Sequence, residues 1–522
     1  MVTKKSTNSK SSKKLTNQEK KLLNRFKQID QEIHTLGGIG ALLGWDKQTI
    51  IPNSAHSDRA EQSSYVSSKI HEIMVSKDLK NCVNKLTKKE SLNKLSQREQ
   101  TLLLHFKKEI KKSSKLPAEF VKEFSKLCSS SYSHWVKARE KQDYAEFAPY
   151  LQKMIKMKKQ EAKLINSKAN AYDLIIDDFE EGMTQKLIDP VFEELRDGII
   201  ELLAQIKKSK KYKSQKNILE KLSFPQDKQL QISKQVIQTI LEEDSRYYVA
   251  ESVHPFTTRI SFNDVRLTTA VRKGLPLFSF TGAAHEAGHA LYELGMSEKL
   301  KHTGLRDAPS FGLHESQSRL WENQIMRGNN YWKYFYPKYQ KQFLGLKNIS
   351  FEKFFAAMNQ VRPSLIRIEC DELTYCMHII IRYEIEKQIF QGNVKAKDLK
   401  KLWNNKYQEY LGVTPKNDTE GILQDVHWVE GMFGYFPTYA IGTLYSAMLY
   451  EKMQKDIPSL NKELRKGNVE SVRRWLKEKV HKYGREMTAE EIVFKATGQH
   501  LSAKPFLEYL KQKYFALYDI KN

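Results

Sequence analysis

Along most of this chain, charged residues interleave with Leu, Ile and Phe at intervals of three and four, the spacing of helices that bury one face and solvate the other. The pattern predicts a first helix from residue 16 to about 36, ending at Gly37 and Gly38, and a restart near Ser57 beyond Trp45, Asp46 and Pro52. Long amphipathic helices then run to about residue 250, with breaks predicted near Pro117, at Asp189 and Pro190, and at the basic stretch KKSKKYKSQKN. One stretch departs from the helical period. In HPFTTRISFNDVRLTTAVRKG, Ile260 and Phe262 alternate with polar neighbours, the parity shifts at Asn263 and Asp264, and Val265, Leu267, Thr269 and Val271 alternate again. This predicts a short strand pair with a turn or bulge between its members. Such a pair is either an ordinary hairpin packed on helices or an edge that an extended peptide can join. Directly after it, TGAAHEAGHALYEL reads as helix with Thr281 as its N-cap, and Ala283, Ala284, Ala287, Gly288 and Ala290 would let a neighbouring backbone approach closely.

The expected fold is therefore mostly α, a large helical body with a small β-sheet near residue 285. Its expected organisation is a disordered basic tail over residues 1–15 and one unit over 16–522, with a helical N-terminal part to about 250 and the remainder over 251–522. Composition agrees, because 23 glycines and 14 prolines are few for 522 residues and a 40% apolar share supports a substantial core. No apolar run approaches the eighteen or so residues of a membrane helix, and the basic start is followed by no apolar segment of a secretory leader. Cys82, Cys128, Cys370 and Cys376 have neither metal-type nor disulfide-framework spacing, which points to a reducing cytoplasm. The formal charge of +25 raises the question of nucleic acid. The lysines are spread along the chain with no nucleic-acid module, so the expectation is a solvated basic surface with no specific nucleic-acid or membrane partner.

Chemistry enters at HEAGH, His285 to His289. Histidines four apart on a helix project from one face, so both imidazoles can meet one cation, and the glutamate between them stands beside it. In zinc peptidases that glutamate, here Glu286, is not a ligand but takes a proton from water acidified by the ion. Composition alone predicts on the order of 0.02 such matches in a chain of this make-up, so an accidental pair of histidines is the weaker reading.

A catalytic zinc keeps three protein ligands, and the third must come from elsewhere. The extended motif with a third histidine fails here, since Tyr292 and Gly295 occupy those positions, and Glu293 lies too far along the same helix. FGLHESQSRLWENQI supplies a second helix with Glu315 near its start, 26 residues beyond His289, room enough for a loop and a return. By spacing alone, Asp307 and His314 remain alternatives.

Taken together, WDKQT at 45–49, HPF at 254–256, DVRLT at 264–268, HEAGH, HESQSRLWEN at 314–323, IRIECDE at 366–372, GILQDVHW at 421–428 and GYFPTYAIG at 434–442 resemble the signatures of the carboxypeptidase Taq family, in that family's order. The resemblance covers nearly all the chain beyond the tail. It implies a helical metallopeptidase with a deep groove, commonly homodimeric, that releases single residues from peptide C-termini with one divalent metal ion, zinc first and cobalt as the alternative. Carried over by position, His285, His289 and Glu315 would bind the metal and Glu286 would be the base. Two departures bear on substrate preference: Cys370 stands where the family usually has alanine, and TTAV at 268–271 replaces the usual TTRY.

A C-terminal peptidase must recognise an α-carboxylate, and arginine binds one through two parallel hydrogen bonds. Arg367 is the first choice, read as part of a long, largely apolar helix with Asp371 one turn on to orient it. Arg266 on the strand pair, with Asp264 as partner, is the second. His427 and Tyr439, as donors to the reacting carbonyl, and Gln424, as a holder of substrate backbone, follow mainly from the family motifs. The rival readings are a zinc endopeptidase with the same HEAGH chemistry and a helical binding protein that keeps the site without the activity.

Overall fold

The computed structural model describes residues 14–220, 222–272 and 275–521, so the tail expected over residues 1–15 lies, apart from Lys14 and Leu15, outside the described residues. Among the described residues the protein is 69% helical, as the periodicity predicts, with one small sheet of three strands. It forms two compact units: one runs to Lys115 and includes Lys299–Arg306, and the other comprises Leu116–Glu298 and the chain from Asp307 onward.

In the first unit, α1 (Asn17–Thr49) starts at a capping box in which Thr16 and Glu19 satisfy each other's backbone N–H. It does not stop at Gly37 and Gly38 but continues through Gly40 and Gly44. Each helical glycine costs about 1 kcal/mol relative to alanine. That cost is offset by packing along α2 (His56–Met74), which brings Val66 against Gly40, and by burial of Trp45. Arg59 pairs with Asp46 across the two helices. Leu23, Phe26 and Ile29 join Leu102 and Leu103 in a core that also takes Leu300 and Leu305, and Asp30 accepts the backbone N–H of Gly304 (3.0 Å). The short stretch Lys299–Arg306 is thus fastened within this unit.

In the second unit, α3 (Gln185–Lys208) carries Pro190 inside it, where a break was expected. Asp189 compensates by accepting from Tyr383 Oη (2.6 Å) and Lys387 Nζ (2.5 Å), which fixes the first turns of the helix. Pro117 does interrupt the helices, standing just ahead of the helix Ala118–Lys141. One helix, α4 (Gln226–Leu241), and three strands, β1 (Tyr247–Glu251), β2 (Thr257–Ser261) and β3 (Asp264–Thr269), precede the HEAGH helix. The expected pair is β2 and β3, antiparallel with a register shift between Arg259 and Ser261, and β1 adds in parallel to the other side of β3.

The HEAGH helix, α5 (Pro276–Gly295), begins earlier than predicted. Proline fits the first helical position, where no N–H is needed, so Thr281 lies within the helix, and its hydroxyl donates to the carbonyl of Leu277 (2.9 Å). α5 packs on α4, β3 and α6 (Phe311–Arg319). A Cβ at Gly288 would lie 2.7 Å from the carbonyl oxygen of Gln317, so α6 crosses here because residue 288 has no side chain. From the far side, Gly442 of α8 (Phe436–Asp456) does the same, since a Cβ there would lie 2.8 Å from Gly312 O and 2.9 Å from Glu315 Cβ. Between them in sequence, α7 (Tyr375–Gln391) is buried on almost every side. Arg367 is not part of it. The residue sits in a short 3₁₀ turn, Arg367–Glu369, ahead of α7, and Asp371 is spent on the N–H and hydroxyl of Thr374 and the N–H of Arg362.

Candidate metal centre and active-site cavity

α5 and α6 bring His285, His289 and Glu315 together, with their ligand atoms all within 4.8 Å of one another. Glu315 Oε2 lies 3.6 Å from His285 Nε2 and 3.5 Å from His289 Nε2. Tetrahedral zinc bonds of about 2.0–2.1 Å place neighbouring ligand atoms about 3.3 Å apart, so two imidazole nitrogens and a carboxylate oxygen at these separations fit a divalent ion. Glu322, in the π-helical segment Leu320–Met326 that continues α6, reaches His285 Nδ1 (3.0 Å). A carboxylate only accepts, so Nδ1 carries a proton, and Nε2 is the ring nitrogen that faces Glu315.

The electrostatics agree with a cation site. Burial disfavours protonation of His285, yet Glu315 and Glu322 outweigh it and raise that imidazole to about 9. A field that would hold a proton there also attracts a metal cation, which displaces it. Burial and the neighbouring His314 push His289 down to about 3, leaving it neutral, the form that can bind a metal. Burial also works against ionisation of Glu315, but His285 and Arg319 keep its carboxylate well below the ordinary range. Arg319 Nε donates to Glu315 Oε1 (2.8 Å), while Oε2, which accepts from Ser318 Oγ (3.1 Å), faces the histidines; the guanidinium of Arg319 lies 4.0 Å from the ring centroid of Tyr375.

The other ligand candidates are engaged elsewhere. His314 stacks on His289 at 4.4 Å between ring centroids, with Nε2 turned to Glu293 (3.2 Å). Glu293 also accepts from Arg259 (3.0 Å), and Asp307 pairs with the same arginine at 3.6 Å. Glu286 lies buried in the cavity wall, where Thr257 of the edge strand β2 donates to its Oε2 (2.7 Å), and burial raises its carboxyl above the usual range.

A cavity of about 630 Å³ opens over these groups and is lined by His285, His289, Glu315, Glu286, Arg367 and Tyr439. Arg367 is buried and paired with Asp425 (2.9 Å) rather than Asp371, and its guanidinium lies 5.1 Å from the ring centroid of Tyr439. Gln424 does not line the cavity. Its Oε1 accepts the backbone N–H of Arg367 (3.0 Å) and its Nε2 donates to Leu365 O (3.0 Å), so the amide shapes the turn that carries the arginine. His427 is also outside the lining, 3.4 Å from Tyr439 Oη, and burial lowers it to about 4. Arg266 stays on β3 in a two-bond pair with Asp264 (2.9 and 2.8 Å) and is not among the lining residues.

Sequence reasoning assigned no role to Arg319, Glu322 or Thr257. The first two follow Glu315 by four and seven residues, so helical spacing alone places them on its face. Thr257 carries no local signal, because its meeting with Glu286 depends on how β2 lies against α5.

Helical architecture and a His-His-Glu cluster beside a buried glutamate define a metallopeptidase. The family model for carboxypeptidase Taq (M32) metallopeptidases matches residues 25–514. Carboxypeptidase 1 of Bacillus subtilis is 40% identical over 479 residues, covering 92% of this chain and 95% of that relative. Among solved structures, an M32 carboxypeptidase from Deinococcus radiodurans R1 superposes with a TM-score of 0.90 at 34% identity, covering 97% of this chain and 100% of that one. Trypanosoma cruzi metallocarboxypeptidase 1 gives 0.91 at 29% identity, covering 95% and 99%. The chain belongs to the carboxypeptidase Taq (M32) family and is a metal-dependent carboxypeptidase.

Proposed function

We propose that this carboxypeptidase releases single residues from peptides with a free C-terminus, with zinc held by His285, His289 and Glu315, cobalt as the alternative ion, and Glu286 as general base. The observation that carries this reading is the convergence of three ligand atoms within 4.8 Å, with Glu286 in the wall of the same cavity. When bound, the ion supplies Lewis acidity, acidifying water and polarising the scissile carbonyl.

The chain's own residues do the rest. Burial lifts Glu286, which makes it a better proton acceptor, and Thr257 keeps its Oε2 aimed. The proton then passes from Glu286 to the leaving amine. Arg367 receives the α-carboxylate. Asp425 is shared between Arg367 and Arg382 (2.9 and 2.6 Å), so one negative charge faces two positive ones and a positive charge remains for the substrate. Gln424 holds the backbone of Arg367, and Tyr439 Oη, adjoining His427, donates to the substrate. Arg266, already bound to Asp264, is given no substrate contact.

The four free cysteines agree with a reducing cytoplasm, and the family resemblance with a homodimer. An acylated dipeptide offered as free acid and as C-terminal amide tests the reaction, because an endopeptidase would cleave both equally. Glu286→Gln should lower kcat by roughly 10²- to 10⁴-fold with the metal still bound, and undiminished turnover would remove Glu286 as the base.

A further inference from the structure

Four arginines line the catalytic cavity, and three are committed: Arg319 to Glu315 (2.8 Å), Arg367 to Asp425 (2.9 Å), and Arg327 to Asn323 Oδ1 and the carbonyl of Met358 (3.3 Å each). Arg272 differs. It is half-buried, its guanidinium rests 4.3 Å from the ring centroid of Phe278, and among the described residues that guanidinium has no carboxylate or hydrogen-bond partner. An arginine on an aromatic face keeps its planar edge of N–H donors free for a carboxylate.

Its place along α5 says what part of a substrate it meets. Thr257 bonds Glu286, Pro255 lies 3.8 Å from the Cβ position of Gly282, and Arg272 covers Phe278, so these residues form a track descending α5 from the catalytic glutamate toward its N-terminus. Phe278 is seven residues before His285, about 10 Å along the axis at 1.5 Å per residue. An extended peptide advances about 3.3 Å per residue, so Arg272 stands about three residues from the bond that is cut. A carboxypeptidase leaves a single residue beyond that bond, and its carboxylate lies well short of this distance. What reaches Arg272 is the part of the peptide upstream.

We propose that Arg272 forms an upstream subsite for an acidic side chain, selecting Asp or Glu at about the third residue before the bond cleaved. The inference rests on the carboxypeptidase reading above. It is tested with pentapeptides and hexapeptides ending in the same residue and carrying Glu, Gln or Lys at successive upstream positions. The zinc-loaded enzyme should show a kcat/KM for Glu over Gln of about tenfold at one position near the third, the size of a charge-assisted hydrogen bond at a half-exposed site. Arg272→Gln should bring that ratio close to one, Arg272→Lys should keep part of it, and Arg272→Glu should turn the preference to Lys. Equal rates for Glu and Gln at every position in the wild type overturn the proposal. So does loss of the free-acid over amide preference in Arg272→Gln, which would make this arginine the α-carboxylate receptor. Failure of the wild type to shorten any of the peptides removes the carboxypeptidase reading and this one with it, and is told apart by the absence of released amino acid from the neutral peptides.

Discussion

Two corners of one cavity are built in opposite ways. Around His285 and His289, the carboxylates of Glu315, Glu322 and Glu286 outnumber the one guanidinium that bonds them, Arg319, and their excess negative charge is what raises His285. Around Arg367, one carboxylate, Asp425, serves two arginines and leaves one positive charge. The first corner suits a divalent cation and the second a substrate carboxylate. The lesson is that a buried charged cluster advertises its ligand by its imbalance: a structural ion pair closes its own account, whereas a site does not.

The largest effect should come from the positive corner. Arg367→Met leaves Asp425 with Arg382 alone and should lower kcat/KM for free-acid substrates by roughly 10²-fold or more, while C-terminal amides, already poor, change little. Equal losses for acids and amides would mean that Arg367 only supports the fold.

At the negative corner, Glu322→Gln keeps the shape but removes a charge and the fixed acceptor for His285 Nδ1. Metal affinity, read by competition with a chelator, should fall about 10- to 100-fold; an unchanged affinity would show that Glu315 and Arg319 balance the site without it. Gly442→Ala perturbs the same corner through packing alone, by forcing a methyl against Gly312 O and the Glu315 side chain. Thermal unfolding should report a loss of about 1–3 kcal/mol, and full stability would mean that α8 yields more readily than the close contact implies. The smallest effect belongs to Arg266→Gln. Its pair with Asp264 is partly solvated, so stability should shift by less than about 1 kcal/mol with kcat/KM near the wild type. A large loss in kcat/KM would return Arg266 to the site.

How legible each corner was follows from how far apart its parts lie in the chain. The metal corner rests on helical spacing: 285 and 289 are one turn apart, and 315, 319 and 322 follow on one helix face, so most of it can be read by counting. The Arg367 corner cannot. Asp371, four residues away, looked like the partner on the premise of a helix, and the chain instead forms a short turn whose arginine is held by Gln424 and Asp425 more than fifty residues on. The same contrast runs through the fold. Pro117 and the parity shift at Asn263 act over a few residues and showed in the chain. Gly37, Gly38 and Pro190 read as breaks, yet packing of α1 on α2, and the grip of Tyr383 and Lys387 on Asp189, carried the helices through them.

The sequence by itself determined that the protein is helical, that a short strand pair precedes the HEAGH helix, and that His285 and His289 share one helix face, because those properties depend on periods of two and of three to four residues. The tertiary structure alone decided that Thr257 holds Glu286, that Asp425 and not Asp371 takes Arg367, and that α6 slips between Gly288 and Gly442. Those contacts join residues that are distant along the chain, and they form only when whole elements have packed and buried charges have found the partners that cost least to desolvate.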